Sequence, residues 1–153
     1  MEHQTSEMDG KAVLNMKLHA SGEDYLKAIL LLQRENGYVR SLDVAERMGV
    51  SKPSVSHAVK LLREGGFLIM NDDYTLHLTD LGRAVAEKLY ERHRYFTDRL
   101  TDAGVDAGTA EAEACKMEHT ISDESFQKLK GQEQRICPFA DSCDFKQDKE
   151  RGP

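Results

Sequence analysis

Residues 41–70 decide the fold of this chain, and they read SLDVAERMGVSKPSVSHAVKLLREGGFLIM. Ser41 and Ser51 are each placed to cap a short helix, because a serine hydroxyl can accept from the first free backbone N–H groups. Pro53 lies in the first turn of the second helix, where its missing N–H is no loss. A Gly-Val turn separates the two helices, and the second one stops at the glycine pair 65–66. Two short helices joined in this way predict a helix-turn-helix.

A short hairpin should follow the second helix directly. The segments FLIM (67–70) and TLHL (75–78) are strand candidates, and NDDY between them is a turn sequence. A hairpin at this place is the wing of a winged helix. The alternative is a general helical domain with a similar helix pair, but the order of caps, turn, second helix and hairpin favours the winged helix.

The charge distribution agrees with binding to nucleic acid, although the net charge is −6. Residues 34–63 contain six basic and three acidic residues, whereas residues 101–153 contain seven basic and twelve acidic ones. A locally basic surface can bind phosphates even on an acidic molecule. The candidate DNA contacts are the polar residues on the outward face of the second helix, plus one arginine before the first: Arg40, Lys52, Ser54, Ser56, His57 and Lys60.

Helices should flank the winged helix on both sides. The segment SGEDYLKAILLLQREN (21–36) is amphipathic, with Ser21 as its expected cap and Gly37 as its end. A long helix follows Thr79, and two more helices are expected near residues 107–121 and 122–130. No apolar run is long enough for a transmembrane helix, and the N-terminus lacks the pattern of a signal peptide, so we expect a cytoplasmic protein.

A second functional signal is EAEACKMEHTIS (111–122). Cys115, Glu118 and His119 lie at positions i, i+3 and i+4, so one helix face can present a thiol, a carboxylate and an imidazole together. Glu111 joins the same stripe. The alternative is an ordinary helix with a buried cysteine. An enzyme with Cys115 as nucleophile and His119 as base is disfavoured, because the chain offers no evident oxyanion site or Gly-rich loop.

Five stretches match one known pattern when they are taken together: EDYLKAI, VAERMGVSKPSVSHAVKLLREGGFL, LHLTDLG, ERHRYF and EACKMEHTISDE. They cover about residues 21–130. With them the sequence resembles the family of the diphtheria toxin repressor and the manganese-dependent repressors. The resemblance implies a mainly α protein, in which an N-terminal winged helix-turn-helix is followed by an all-helical metal-binding and dimerisation domain. It also implies a homodimeric repressor and no enzymatic activity.

The resemblance suggests where the domains begin and end. We expect a flexible N-terminus at 1–20, the DNA-binding domain at 21–82, the metal-binding and dimerisation domain at 83–132, and a flexible acidic tail at 133–153. We expect no counterpart of the SH3-like C-terminal domain that longer members possess. The tail cysteines Cys137 and Cys143 read as incidental, with a redox or metal role as the lesser alternative.

The resemblance also implies a set of metal ligands. The primary site would consist of Asp24, Cys115, Glu118 and His119, and an ancillary site would use His93 and Glu111. Two positions depart from the family pattern. Thr97 stands where iron-type members have a glutamate, and Lys27 stands where manganese-type members have a second carboxylate.

A thiolate and an imidazole favour Fe(II), Co(II), Ni(II) or Zn(II), whereas carboxylates suit Mn(II). We expect Fe(II) as the effector, with Mn(II) as the runner-up. The expected partners are double-stranded operator DNA and a second copy of the chain, with no membrane and no small organic substrate. The alternatives are an Mn(II)-responsive repressor and a winged-helix protein that works without metal, on DNA or on another protein.

Overall fold

The computed structural model describes residues 20–136, and within them the chain is mainly helical. The elements in chain order are α1 (Ala20–Asn36), α2 (Ser41–Met48), α3 (Lys52–Glu64), β1 (Leu68–Met70), β2 (Leu76–Leu78), α4 (Asp80–Asp102), α5 (Ala107–Thr120) and α6 (Asp123–Ile136). This order confirms the predicted fold class. The boundary between two compact units falls between His119 and Thr120. The tail cysteines Cys137 and Cys143 lie outside the described residues.

The helix-turn-helix forms as the capping residues predict. The side chain of Ser51 accepts from the backbone N–H of Ser54, and Pro53 lies in the first turn of α3. Gly49 ends α2 with a φ of 65°, a left-handed conformation that glycine adopts without strain. The cap of α2 differs from the prediction, since Ser41 is the first helical residue. Asp43 instead accepts from the backbone N–H of Arg40, at 2.8 Å.

The start of α1 was also predicted wrongly. Ser21 is not a cap, because the helix already includes Ala20. Ser21 is therefore an interior helical residue. In the described part of the chain, no helix has the length and apolar character needed to cross a membrane.

One apolar core joins α1 to the winged helix. It is formed by buried side chains from all three of the first helices and from both strands: Leu26, Ile29, Leu30, Val44, Val55, Val59, Leu62, Leu68 and Leu76. Since α1 contributes some of the most buried of these side chains, its position cannot change without disturbing the winged helix.

The wing is an antiparallel pair in which Leu68 lies opposite Leu78 and Met70 opposite Leu76. The hairpin is tied to the rest of the unit at two places. The backbone N–H of Leu76 donates to the carbonyl of Val39 at 2.7 Å. The first turn of α4 packs directly against Phe67, where a Cβ atom on Gly82 would lie 2.1 Å from the Phe67 carbonyl oxygen. Only glycine fits there, which explains the glycine in the sequence TDLG.

The long helix α4 begins at its predicted cap, because the Thr79 hydroxyl accepts from the N–H of Gly82 at 3.1 Å. It packs along α1. Arg34 on α1 pairs with Glu87 at 3.5 Å and lies over the ring of Tyr90, with 5.4 Å between the guanidinium carbon and the ring centroid. This packing brings the second half of α4 alongside the N-terminal half of α1.

Candidate metal centre

Three helices bring titratable side chains to one place in the first unit. Glu23, Asp24 and Lys27 come from α1, His93 comes from α4, and Cys115, Glu118 and His119 come from the end of α5. The helical spacing in each segment explains why the side chains point together, since positions three and four apart share a face. Asp106 caps α5 by accepting from the N–H of Thr109 at 3.0 Å, and so sets where that face begins.

Glu118 lies at the middle of the cluster, and its side chain is fully buried. One carboxylate oxygen, Oε1, accepts from the ammonium of Lys27 and lies 3.5 Å from Nε2 of His119. The other, Oε2, lies 2.8 Å from Nδ1 of His93. A buried carboxylate is costly unless positive charge or hydrogen-bond donors compensate it. The fold therefore places a hydrogen-bonding partner at each oxygen of the Glu118 carboxylate.

His119 contacts a carboxylate with each ring nitrogen. Its Nε2 atom lies 2.9 Å from Oδ1 of Asp24, and its Nδ1 atom lies 2.7 Å from Oε2 of Glu23. Burial lowers the pKa of His119, but the hydrogen bond with Glu23 and the charge of Asp24 outweigh it and leave the pKa raised. Glu23 was not predicted. Its only signal in the sequence is its position beside Asp24 at the start of α1.

Cys115 is half-buried beside the same groups. Its Sγ atom lies 3.4 Å from Nζ of Lys27 and 4.0 Å from Oε1 of Glu118. Burial raises the pKa of the Cys115 thiol, and the nearby charge of Lys27 offsets this only in part. The thiol is therefore protonated at neutral pH, and a metal ion that binds to it must release that proton.

The predicted ligands form two overlapping groups instead of one primary and one ancillary site. His93, Cys115 and Glu118 form one group, and Asp24, Glu118 and His119 form the other, with the ligand atoms of each group within 4.8 Å of one another. Glu118 belongs to both. The structure thus brings together all four residues of the predicted primary set, and it adds His93 to them.

The predicted ancillary pair is not assembled. Glu111 is exposed and belongs to neither group among the described residues. Thr97 donates its hydroxyl to the carbonyl of His93 at 2.8 Å, so this side chain is bound to its own helix. The i−4 spacing placed Glu111 on the same stripe as Cys115. The other helices converge at the end of α5, and Glu111 lies one turn further from that end than Cys115 does.

A buried arginine holds the end of the helix that carries Glu118. Arg92 donates from Nη1 to the backbone carbonyl of Glu118 at 3.2 Å, and its side chain is buried. Carbonyls in the last turn of a helix lack partners within the helix, and a cationic donor there stabilises the helix end. Arg92 therefore fixes the end of α5 against α4. It was not predicted, because neither of the two arginines in ERHRYF shows a distinguishing signal.

The cluster has the chemistry of a cation site. It combines carboxylate oxygens, imidazole nitrogens and one sulfur, and this mixed donor set suits a divalent transition metal better than Ca²⁺ or Mg²⁺. The Lys27 ammonium already lies among these donors, which shows that the cluster stabilises positive charge. The residues present therefore fit a metal ion.

The candidate DNA contacts lie apart from this cluster, and all six are exposed: Arg40, Lys52, Ser54, Ser56, His57 and Lys60. The core-facing residues of α3 are Val55, Val59 and Leu62, which are buried as predicted. The Ser54 hydroxyl lies 2.8 Å from the Ser51 hydroxyl, so it also takes part in the cap of α3. The exposure of the six residues meets the requirement for DNA contact, and the contacts themselves stay a prediction.

Two family models match the chain, one after the other. The N-terminal DNA-binding domain of the iron-dependent repressors matches residues 17–76, and their metal-binding and dimerisation domain matches residues 79–140. The chain belongs to the iron-dependent repressor family. Members of this family are DNA-binding transcriptional regulators, not enzymes.

Individual relatives agree with this assignment. The diphtheria toxin repressor of Corynebacterium diphtheriae is 34% identical over 108 residues, which cover 70% of this chain and 48% of the repressor. The transcriptional regulator MntR of Escherichia coli O157:H7 is 36% identical over 104 residues, which cover 68% of this chain and 67% of MntR. The solved structure of the manganese regulator SloR matches with a TM-score of 0.66 and 30% identity, covering 77% of this chain and 54% of SloR. The chain thus spans only about half the length of two of these three relatives.

Proposed function

We propose that this protein is a metal-dependent transcriptional repressor that binds operator DNA as a homodimer when a divalent metal is bound. The observation that supports it most directly is the meeting of α1 and α5 at the cluster, where the Nε2 atom of His119 lies 2.9 Å from Oδ1 of Asp24. A metal held by both helices would connect the DNA-binding unit to the helix that bears the ligand motif. Operator DNA lies in the cytoplasm, so this is also where we place the protein.

The proposed ligands are Asp24, Cys115, Glu118 and His119. His93 is proposed as a further ligand, because its Nδ1 atom already lies 2.8 Å from Glu118. The metal would supply positive charge that both carboxylates and the thiolate share. The protein's own part is to hold these donors together. Arg92 fixes the end of α5, and Glu23 orients the His119 ring by bonding the nitrogen that faces away from Asp24.

The coupling to DNA follows from the position of α1. The same helix holds Asp24 on one face and contributes Leu26, Ile29 and Leu30 to the winged-helix core. A bond between Asp24 and α5 would therefore restrict the whole DNA-binding unit. Because coupling between two binding sites is reciprocal, DNA should tighten metal binding as much as metal tightens DNA binding.

Fe(II) is the effector we propose, with Mn(II) as the runner-up. The half-buried thiol of Cys115 and the two imidazoles supply soft and borderline donors, which favour Fe(II) over Mn(II) at equal availability. The carboxylates of Asp24 and Glu118 suit Mn(II). Both a diphtheria toxin repressor and an MntR are among the relatives, so similarity alone does not choose between the metals.

On DNA, we propose that α3 enters the major groove. Ser54, Ser56 and His57 would reach base edges, while Lys52, Lys60 and Arg40 would contact phosphates. Two half-sites require two recognition helices, so the chain must pair with a second copy. We propose a winged-helix domain at 21–82 and a metal-binding and dimerisation domain at 83–132, with the pairing surface in the second. The family matches at 17–76 and 79–140 support a division close to this one.

One observation favours a metal-independent winged-helix regulator as the second candidate. Lys27 bonds the buried carboxylate of Glu118, so a cationic side chain of the protein itself can compensate that charge. The two candidates differ in one measurable respect. A metal-independent regulator binds the same DNA with equal affinity when all metal is chelated.

The test is DNA binding against a panel of divalent ions under anaerobic, reducing conditions. The operator is first selected from random duplexes, in separate selections with Fe(II)-loaded and with chelated protein, so that neither candidate is favoured in advance. We expect an enriched sequence only with metal, and tightest binding with Fe(II). Glu118→Gln should abolish the metal response, with folding of the variant checked by circular dichroism. The same enriched sequence from chelated protein would favour the metal-independent regulator.

A further inference from the structure

The ammonium of Lys27 contacts atoms that a metal ion at this site would also bind. Nζ bonds Oε1 of Glu118, lies 3.4 Å from Sγ of Cys115, and lies 3.8 Å from Oδ1 of Asp24. These three atoms belong to three of the four residues that we propose as primary ligands. Cys115 and Glu118 lie on α5. Asp24 lies on α1, and so does Lys27. The lysine thus joins the two helices in the absence of any metal.

The folded protein favours the protonated, positively charged form of Lys27. Burial lowers the pKa of Lys27, but the hydrogen bond to Glu118, together with the charges of Glu118, Cys115 and Asp24, outweighs burial and leaves the pKa raised. The side chain is 11% exposed, and that of Glu118 is not exposed at all. Glu118 needs a compensating positive charge at such depth, and Lys27 provides it. The metal-free cluster is therefore already neutralised in part.

A metal ion and this ammonium cannot both bind the same oxygen fully. Oε1 of Glu118 accepts from the ammonium, and the same oxygen lies 4.0 Å from Sγ of Cys115. Two positive charges at such short separation also repel each other strongly where water is largely excluded. A metal ion that binds through Oε1 therefore has to break the ion pair between Lys27 and Glu118. The long, unbranched side chain can swing away without moving α1, since only its own rotamers change.

From this geometry we propose that Lys27 is a built-in competitor of the metal ion, which holds the cluster closed without metal and sets the metal concentration at which the protein responds. The proposal rests on the proposed metal-dependent function. The competition by Lys27 would make the site selective among metal ions. A metal with high affinity for thiolate and imidazole can displace the ammonium, whereas a weakly bound hard cation such as Mg²⁺ cannot. Lys27 is thus a specificity-determining residue and not a ligand.

The test compares metal affinity between the wild type and Lys27→Met, which keeps an unbranched side chain and removes the charge. Co(II) is the probe, because a Co(II)–thiolate band reports contact with Cys115, and its dissociation constant is measured by competition with a chelator. We expect Lys27→Met to bind Co(II) about tenfold more tightly or better, because the like charge is gone. Lys27→Arg keeps the charge and should stay close to the wild type. The control is Lys128→Met, which removes an exposed lysine paired with Glu124 at 2.7 Å.

Folding of each variant is checked by circular dichroism without metal. If Lys27→Met leaves Glu118 unpaired and does not fold, Lys27→Gln decides the matter, since its amide can still donate to the carboxylate. Equal or weaker Co(II) affinity in the folded neutral variant, with a normal thiolate band in the wild type, would overturn this proposal alone. Absence of Co(II) binding in both the wild type and the neutral variants would overturn it together with the proposed function. Binding by the neutral variant alone would support it.

Discussion

The Nε2 atom of His119 lies 2.9 Å from Oδ1 of Asp24, although the two residues are 95 positions apart in the chain. Asp24 stands on the helix that supports the recognition helix, and His119 stands at the end of the helix with the ligand motif. Any ion that binds both side chains must resist separation of these two helices. In the proposed function, this pair is where a bound metal would couple to DNA binding.

Glu23 should matter for metal affinity although it is not a proposed ligand. It accepts from the His119 nitrogen that faces away from Asp24, and so holds the ring in a binding orientation. Glu23→Ala should weaken Co(II) binding by about tenfold or more, the usual effect of removing such an orienting group. Competition with a chelator measures it. Glu46→Ala, an exposed glutamate on α2, is the matched control. Unchanged affinity in Glu23→Ala would show that the ring is oriented by other contacts.

Cys115 should select the metal. Replacement by glutamate exchanges the sulfur donor for oxygen, so Cys115→Glu should shift the preference from Fe(II) toward Mn(II). The measurement is the rank order of metals in DNA-binding titrations, with each free metal buffered. Cys115→Ser, which also loses the thiolate but adds no carboxylate, is the control for loss of sulfur alone. If Cys115→Glu keeps the wild-type rank order, the thiolate does not determine selectivity.

The metal-free protein should lose stability as pH rises. Burial lowers the pKa of His119, but Glu23, Asp24 and Glu118 raise it further than burial lowers it, even with the Lys27 ammonium close by. A histidine with a raised pKa in the folded state stabilises the fold below its unfolded pKa of about 6.5, and this contribution is lost as pH rises through the folded pKa. The pKa of Cys115 is also raised, which acts in the same direction, but only near its ordinary value of 9.0.

The check is the melting temperature of chelated protein between about pH 6 and pH 8, a window below the ordinary titration of thiols. His119→Gln should flatten the decline across that window. His57→Gln, an exposed histidine on α3, should leave it unchanged. An equal decline in His119→Gln would assign the pH effect to another group.

Lys60 should bind a phosphate. It is exposed on the outer face of α3, so Lys60→Ala should weaken binding to all DNA sequences and reduce the slope of log affinity against log salt by about one. Fluorescence anisotropy at several salt concentrations measures this for the operator and for an unrelated duplex. Lys128→Ala, on α6, is the control. A loss confined to the operator would mean that Lys60 reads a base.

The sequence predicted the winged helix well because its signals are local. Ser51, Pro53 and Thr79 act on neighbouring backbone groups, and the caps of α3 and α4 form as predicted. Ser21 failed because a serine near a helix start is not always its cap. The helix already includes Ala20, so Ser21 is an interior helical residue.

The cluster was predicted only in part, because its remaining members depend on tertiary packing. Spacing on α5 identified Cys115, Glu118 and His119. The contact of Glu23 with His119 and the position of the Lys27 ammonium arise where α1 meets α5, and no periodicity within one helix reports them. Glu111 has the same spacing on α5, but it is exposed and lies in neither candidate ligand group among the described residues, so its ligand role stays a prediction.

The most direct test of the whole account is the affinity for the selected operator, measured by anisotropy with Fe(II)-loaded and with chelated protein. We expect metal to tighten binding by about 10-fold to 100-fold, within the usual range of coupling between two sites. Asp24→Ala should reduce that ratio toward one, whereas Asp98→Ala, an exposed aspartate on α4, should preserve it. Equal affinity of the loaded and the chelated wild-type protein would contradict the account.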